Sequence, residues 1–300
     1  MGATILVGTC SWTDKTLLES GWYPRGVNTP EERLRYYAQH FPIVEVDSSY
    51  YALPNERNAG LWVERTPPYF RFDIKAFSLF THHPTPISAL PRDVREALPH
   101  GLRERERLYY RDLPPELRDE LWERFAAALL PLDSAGKLGV ILFQFPPWFL
   151  PGKESRRYIQ ELRERLPQYT PAIEFRQERW LGEERDRAAV LRFLREHRLP
   201  LVCVDEPQGF VSSVPPLAEA TAEVSVVRLH GRNATAWQAK GATVAERFNY
   251  LYERGELEEW VPRVRKLAQE AQEVHVLFNN CFRDYAVRNA HQMTELLAAR

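Results

Sequence analysis

Eight short apolar runs recur along the chain, and helix-like segments separate most of them. The runs are Ile5–Gly8, Ile43–Val46, Phe70–Lys75, Val140–Phe145, Ala172–Phe175, Leu201–Val204, Val224–Leu229 and Val274–Phe278. Continuous apolar runs of this length are typical of buried parallel strands. Strands that alternate with helices in this way predict an α/β fold, the (β/α)8 TIM barrel. In such a barrel we expect the chemistry at the carboxyl ends of the strands.

Start signals and periodicity predict the intervening helices. Thr29 is expected to cap a helix that begins at Pro30, with Glu32 completing a capping box. Further helices are predicted at Glu56–Arg65, Pro115–Leu130, Tyr158–Leu166, Glu183–His197, Leu257–Ala271 and Tyr285–Ala299.

Two connections are longer than most barrel loops. Residues 77–137, between strands three and four, contain a Pro-rich stretch, a charged segment and a helix. We expect them to form a largely helical insertion over or beside the barrel mouth. The connection Gly231–Glu256, after strand seven, is also long enough to reach over the mouth. The whole chain, residues 1–300, is predicted to be one barrel domain.

Polar residues near the strand ends share one face of each strand, opposite their apolar neighbours. This polar set comprises Glu45, Asp47, Arg71, Asp73, Lys75, Glu174, Arg176, Cys203, Asp205, Arg228 and His230. Because the apolar face can pack against the helices, the polar set is predicted to face the barrel axis. A slip of one residue would invert each assignment and bury the charges under the helices. The alternative to a functional site is that these charged residues form a lattice of salt bridges with a structural role and no part in catalysis.

Composition and charge narrow the classes of function. The formal net charge of the 300 residues is −1, so no global basic field would recruit nucleic acid. Cys10, Cys203 and Cys281 lie far apart and form no CxxC pair, which is typical of a reduced, cytoplasmic protein. No signal peptide is apparent, and no run approaches the ~20 apolar residues that cross a bilayer, so we expect no membrane partner.

The residue types at the strand ends favour an enzyme that acts on a small anionic ligand or phosphoester. Acid–base or charge-stabilising roles are predicted for Lys75, Glu174, Asp205 and His230. Substrate contacts are predicted for Glu45, Arg176, Arg228, Arg232, Gln144, Asn279, Asn280 and Trp12. Arginine suits phosphate or carboxylate because it can donate two parallel hydrogen bonds.

A metal-assisted version of this chemistry is the less favoured alternative. Glu174, Asp205 and His230 would be its ligands, but no HxH or HExxH spacing supports a divalent metal. His275 lies below its strand end and is expected to be a core histidine. No cofactor is expected, since GxGxxG, GxxxxGK[ST] and GxSxG motifs are absent.

Two other functions stay open. Aromatic residues in the loops, such as Trp12 and Trp148, together with nearby arginines, are the features that nucleic-acid binding or phosphodiester processing would use. A steep fall of affinity with salt would distinguish that function from small-anion chemistry. The other alternative is a barrel that binds a ligand or partner without catalysis. The oligomeric state is not predicted.

Several longer stretches make the chain resemble the YecE-like family, a widespread domain of unknown function. They are GTCSW at Gly8–Trp12, YYAQHFPIVEVDSSYYALP at Tyr36–Pro54, RTPPYFRFDIKA at Arg65–Ala76, LGVILFQFPPWF at Leu138–Phe149, AIEFRQERW at Ala172–Trp180, VRLHGR at Val227–Arg232 and VHVLFNNCFRDYAVRNA at Val274–Ala290. The resemblance implies a TIM barrel but no settled reaction. Asp47 stands where that family often has Asn, and Cys281 where an acidic residue is common.

Overall fold

The computed structural model describes residues 2–299, and eight parallel strands form its core. The strands are β1 Thr4–Thr9, β2 Ile43–Val46, β3 Arg71–Lys75, β4 Leu138–Gln144, β5 Thr170–Glu174, β6 Val202–Asp205, β7 Val224–Leu229 and β8 Glu273–Phe278. They pair in the order β5-β4-β3-β2-β1-β8-β7-β6. A parallel bridge between Ile173 and Leu201 joins β5 to β6. The predicted TIM-barrel fold is therefore confirmed.

Helices surround the strands and follow the predicted segments closely. They are α1 Lys15–Glu19, α2 Pro30–His40, α3 Ser48–Tyr51, α4 Glu56–Glu64, α5 Arg92–Ala97, α6 His100–Arg103, α7 Pro115–Ser134, α8 Lys153–Arg165, α9 Glu184–Glu196, α10 Ala234–Trp237, α11 Val244–Arg247, α12 Arg254–Glu270 and α13 Tyr285–Ala298. The predicted capping box of Thr29 and Glu32 is present at α2. None of the helices within residues 2–299 is both long and apolar enough to span a bilayer.

The long segment between β3 and β4 is largely helical. It contains α5, α6, α7, three short 3-10 turns and a two-residue antiparallel ladder of Thr85–Pro86 with Arg107–Leu108. Helix α7 packs against α4 in the outer layer of the barrel. The ring of Trp122, on α7, stacks on Phe143 of β4 at a centroid distance of 6.1 Å. Apolar stacking of this kind anchors the segment to the barrel wall.

The alternation of side chains confirms most of the predicted register. Glu45 pairs with Asp73 across β2 and β3, so both side chains project to the same face. The intervening Phe72 projects the other way and stacks on Trp62 of α4 at 5.9 Å. Polar residues of β2 and β3 therefore face the axis, while their apolar neighbours pack under the helices.

Strand β6 contradicts the predicted register. Val204 pairs with Arg228, and Asp205 pairs with Leu229. Since paired residues of parallel neighbours share a face, Val204 points toward the axis and Asp205 points toward the helices. Cys203, on the same face as Asp205, donates to the backbone oxygen of Glu219 at 3.8 Å. The prediction that Cys203 and Asp205 face the axis was wrong by one residue of phase.

A buried ionic network fills the lower part of the barrel. His275 Nδ1 lies 2.8 Å from Asp73 Oδ2, and His275 Nε2 lies 2.7 Å from Glu273 Oε1. Burial alone would lower the pKa of His275, but the two carboxylates raise it to about 9. Gly139 makes room for this network, because a Cβ there would lie 2.1 Å from Asp73 Oδ1. His275 is the buried core residue that the sequence predicted.

Candidate functional site

A fully buried arginine lies at the centre of the barrel, beneath the mouth. Arg228 donates from Nε and Nη2 to the two carboxylate oxygens of Glu45, at 2.8 and 2.7 Å. Its Nη1 donates to Glu174 Oε2 at 2.6 Å. All three side chains have zero solvent exposure. Because buried carboxylates need a partner, this two-armed pairing makes it possible to place two acids inside the barrel.

The second oxygen of Glu174 gathers the polar groups that lie above it. Gln144 donates to Glu174 Oε1 at 2.6 Å, and Arg176 Nη1 lies 3.4 Å from the same oxygen. His230 Nε2 is 3.1 Å away. The amide nitrogen of Asn279 donates to His230 Nδ1 at 2.8 Å, so Nε2 carries the imidazole proton and donates to Glu174.

Electrostatics fix the charge of Glu174 and His230 near neutral pH, whereas Glu45 titrates there. Burial favours the neutral form of Glu174, but Arg228 and His230 outweigh it and hold the pKa of Glu174 well below its usual range. Burial lowers the pKa of His230 to about 4, so the imidazole is neutral. The pKa of Glu45 is raised to about 7, because burial exceeds the lowering effect of Arg228. Glu174 is thus an ionised acceptor that orients its donors.

A cavity of about 690 Å3 opens above the cluster at the carboxyl ends of the strands. Its lining includes Lys75 from β3, Gln144 from β4, Arg176 from the loop after β5 and Asn279 from the loop after β8. We call these four the floor residues. Glu45, Glu174, Arg228 and His230 lie underneath and do not line the cavity. The predicted residues thus divide into a floor and a buried support.

Both cations of the floor are held in place while keeping a small exposed surface. Lys75 Nζ lies 3.2 Å from Asp47 Oδ1 and 5.0 Å from the ring centroid of Tyr50. The guanidinium of Arg176 lies 4.7 Å from the ring centroid of Trp237. Each cationic side chain is 15% exposed. Burial alone would lower the pKa of Lys75, but Asp47 raises it above its usual value, so Lys75 stays charged.

Loops from two long connections form the walls of the cavity. The connection after β7 contributes Trp237 from α10, Arg247 from α11 and Phe248. The segment between β3 and β4 contributes His83, whose ring lies 5.4 Å from that of Tyr50. The length of the connection after β7 predicted that it could reach over the mouth, and its residues do line the cavity.

Asp205 and Arg232, predicted for the mouth, form a separate cluster under the helices. Arg232 donates to both oxygens of Asp205, at 3.0 and 2.8 Å, and to Glu259 at 2.9 Å. Asp205 also accepts from Tyr252 at 2.8 Å and from the indole of Trp260 at 2.7 Å. The physical reason is the phase of β6, which turns Asp205 outward. Arg232 follows it and does not line the cavity.

The alternative metal ligands therefore do not converge. Glu174 and His230 are in contact, but Asp205 projects from the opposite face of its strand. Within residues 2–299, no group of three His, Cys, Asp or Glu side chains is arranged to hold a metal ion.

Two further predicted contacts lie outside the mouth. The side chain of Asn280 donates to the backbone oxygen of Tyr250 at 2.8 Å and to Asn289 at 2.9 Å. Trp12 is buried and packs edge-on against Trp62 at 6.0 Å. Both residues support the loops around the site and are absent from the lining of the cavity.

Glu206 was not predicted for the site, yet it takes the axis-facing position expected of Asp205. Its Oε2 lies 3.1 Å from Arg176 Nη1, and its Oε1 accepts from the backbone of Val214 at 2.8 Å. Burial raises the pKa of Glu206 to about 7. The signal was present in the sequence, because a shift of one residue in β6 exchanges Asp205 for Glu206.

Two cysteines lie near the mouth without the environment of a nucleophile. Cys10 Sγ lies 3.5 Å from Glu45 Oε2, and Cys281 Sγ lies 3.5 Å from the backbone oxygen of Cys10. Burial holds the pKa of both thiols well above its usual range. A thiol needs a depressed pKa to react as a thiolate at neutral pH. Covalent catalysis by either thiol is therefore disfavoured.

Comparison with known proteins identifies the family. The family model described as "Protein of unknown function DUF72" matches residues 6–300. The chain is 33% identical over 297 residues to the UPF0759 protein YunF of Bacillus subtilis strain 168, covering 98% of this chain and 94% of that protein. The resemblance to a widespread domain of unknown function is confirmed, and the narrower name YecE-like stays a prediction.

Two solved structures share the fold over almost the full length. A DUF72 family protein of Enterococcus faecalis V583 is 29% identical with a TM-score of 0.79, covering 99% of this chain and 96% of that one. A DUF72 family protein of Thermotoga maritima MSB8 is also 29% identical, with a TM-score of 0.76 and coverage of 98% and 99%.

Proposed function

The chain belongs to the DUF72 family, a family of unknown function, and we propose its function from the mouth of the barrel. The protein is an enzyme that binds a small phosphate- or carboxylate-bearing molecule there, and Lys75 stabilises the negative charge that develops as this molecule reacts. One observation carries this proposal: two mostly buried cations, Lys75 and Arg176, and two amide side chains, Gln144 and Asn279, line one cavity of about 690 Å3.

The floor residues suit an anion because their positions are fixed before it arrives. The acidic partners of Lys75 and Arg176 orient both cations, and each keeps part of its surface in the cavity. Little side-chain entropy is then lost on binding, which favours affinity for small ligands. The amides of Gln144 and Asn279 complete the set of polar groups that can fix the orientation of ligand oxygens.

The reaction class that fits best is of hydrolase or lyase type. Lys75 stays protonated and can stabilise negative charge that develops in the transition state. Glu174 and His230 act through the residues that they hold, because both are fully buried beneath Gln144 and Asn279. Glu174 and His230 are thus positioning residues in this proposal.

Binding to single-stranded nucleic acid is the second candidate. It is favoured by Tyr51, which lines the cavity and is 66% exposed, as a stacking platform is. A backbone binder would lose roughly 10³-fold or more in affinity between about 50 and 200 mM salt. A confined anion site would lose much less.

Titration calorimetry with inorganic phosphate tests the proposal. We expect Lys75→Met and Arg176→Met each to weaken phosphate binding about tenfold or more, because each removes a charge-assisted hydrogen bond. Lys153→Met, at the exposed start of α8, is the matched control and should bind as the unchanged protein does. Absence of binding to the unchanged protein, or equal losses in all three variants, would overturn the anion site. Binding without turnover of any phosphoester or carboxylate ester would favour a non-catalytic barrel.

A further inference from the structure

A second cavity of about 520 Å3 lies beside the mouth and has a different lining. Its lining is mainly aromatic and includes His82, Tyr109, Tyr110, Trp148, Phe149 and Tyr158. Lys75, Arg176, Gln144 and Asn279 do not line it. The chemistry that it offers is therefore distinct from that of the floor residues.

The two cavities share one thin wall. His82 lines the second cavity, and the next residue, His83, lines the mouth. In the loop after β4, Pro147 lines the mouth and the next residue, Trp148, lines the second cavity. The rings of His83 and Trp148 are 5.7 Å apart. The side chains of His83 and Trp148 therefore lie at the boundary between the two cavities.

Exposed but fixed rings give the second cavity flat surfaces. Trp148 is 56% exposed, yet its indole nitrogen donates to the backbone oxygen of His82 at 3.3 Å. Tyr109 is also exposed, and the guanidinium of Arg111 lies 5.6 Å from the centroid of its ring. Such surfaces stack against a planar ring, and they lose little conformational entropy when they do so.

The polar groups of this cavity favour a ring without net charge. Arg111 and Glu154 carry opposite charges, so they offset each other. Burial lowers the pKa of His82 to about 4, so its imidazole is neutral at pH 7. His82 Nε2 is buried and has no hydrogen-bond partner within residues 2–299. A heteroatom on the edge of a ring would supply the partner that this nitrogen lacks.

We propose that the second cavity is the ring-binding subsite of the mouth, and that the ligand is a small anion joined to a neutral heteroaromatic ring, as in a nucleoside monophosphate. The inference rests on the proposed function, since the anionic group occupies the floor of Lys75 and Arg176. Trp148 and Tyr109 stack on the ring, and the wall of His82 and His83 lies along the connecting part of the ligand.

The test compares three probes by titration calorimetry: inorganic phosphate, ribose 5-phosphate and adenosine 5′-monophosphate. We expect the nucleotide to bind about tenfold more tightly than ribose 5-phosphate, as one stacked base provides. Trp148→Ala and Tyr109→Ala should each reduce this advantage and leave ribose 5-phosphate binding unchanged. Tyr69→Ala removes a ring that is 63% exposed and lines neither cavity, so it should change nothing.

The outcomes separate this inference from the proposed function. Equal affinity for ribose 5-phosphate and the nucleotide, with phosphate bound, would overturn the ring subsite alone. An advantage that survives in both Trp148→Ala and Tyr109→Ala would do the same. Failure of phosphate and ribose 5-phosphate to bind at all would overturn the anion site and this inference with it.

Discussion

Replacement of Arg228 by methionine removes the cation that two buried carboxylates share. The three hydrogen bonds of 2.6–2.8 Å that Arg228 donates to Glu45 and Glu174 are lost. Arg176 stays near Glu174 in this variant, since its Nη1 lies 3.4 Å from Glu174 Oε1 in the unchanged protein. Removing one partner of a fully buried ion pair costs about 3–5 kcal/mol, because the other charge is left without compensation. The total free energy of unfolding of a native protein is only about 5–15 kcal/mol.

The loss should depend on pH with a definite sign. In the unchanged protein the pKa of Glu174 is depressed, so the ionised carboxylate stabilises the fold at pH values above the unfolded-state pKa near 4.3. This stabilisation is lost only at lower pH. Without Arg228, burial raises the pKa of Glu174, and the carboxyl takes up a proton in the folded state. The loss of unfolding free energy caused by Arg228→Met should therefore become smaller as pH falls from 7 to 5, by up to about 1.4 kcal/mol per pH unit.

Urea unfolding at pH 7 and pH 5 measures both effects. Arg92→Met is the control: Arg92 is exposed and pairs with Glu96 on the surface of α5, so its replacement should leave stability nearly unchanged. If Arg228→Met does not fold, Arg228→Lys keeps the charge and loses the two-armed geometry, and an intermediate loss is expected. A loss below about 1 kcal/mol at pH 7, or a loss that grows toward pH 5, would show that Arg228 does not compensate the two buried carboxylates.

Three further predictions concern the support of the site. Gly139→Ala should lower the free energy of unfolding in urea by about 1–3 kcal/mol, because the added Cβ would meet Asp73. The control is Gly60→Ala in α4, where an added Cβ has no neighbouring atom within 4 Å, and it should be neutral or stabilising. The pKa of His275 is raised to about 9, so its protonated form stabilises the fold fully below pH ~6.5, and this stabilisation is lost as pH rises through 9. His275→Gln should therefore flatten the curve of unfolding free energy against pH in this range. An unchanged slope would contradict the network of His275 with Asp73 and Glu273. Asp205→Asn should cost about 1–3 kcal/mol and leave phosphate binding intact, while a selective loss of binding would restore Asp205 to the mouth.

The fold could be predicted because hydrophobic periodicity decides strand and helix directly. The eight apolar runs each overlap a strand, and the helix that begins at Pro30 has the cap that Thr29 and Glu32 predicted. Alternation also predicted that Glu45, Glu174 and Arg228 face the axis, where the structure shows Arg228 paired with both acids.

The rest of the site depends on distances that the sequence does not contain. Strand β6 begins at Val202, and the predicted register of this short strand placed Asp205 where Glu206 lies. The depth of Glu174 and His230 below the cavity depends on where each strand ends relative to its neighbours. Alternation gives the face of a residue and not its height along the barrel axis.

The most direct test of the account is a high-resolution crystal structure of the protein grown with inorganic phosphate. We expect the anion above Gln144, with oxygens in hydrogen-bond contact with both Lys75 Nζ and the guanidinium of Arg176. A mouth without phosphate, in which Lys75 and Arg176 contact only Asp47, Glu174 and Glu206, would contradict an anion-binding floor and would leave the polar cluster as a structural lattice.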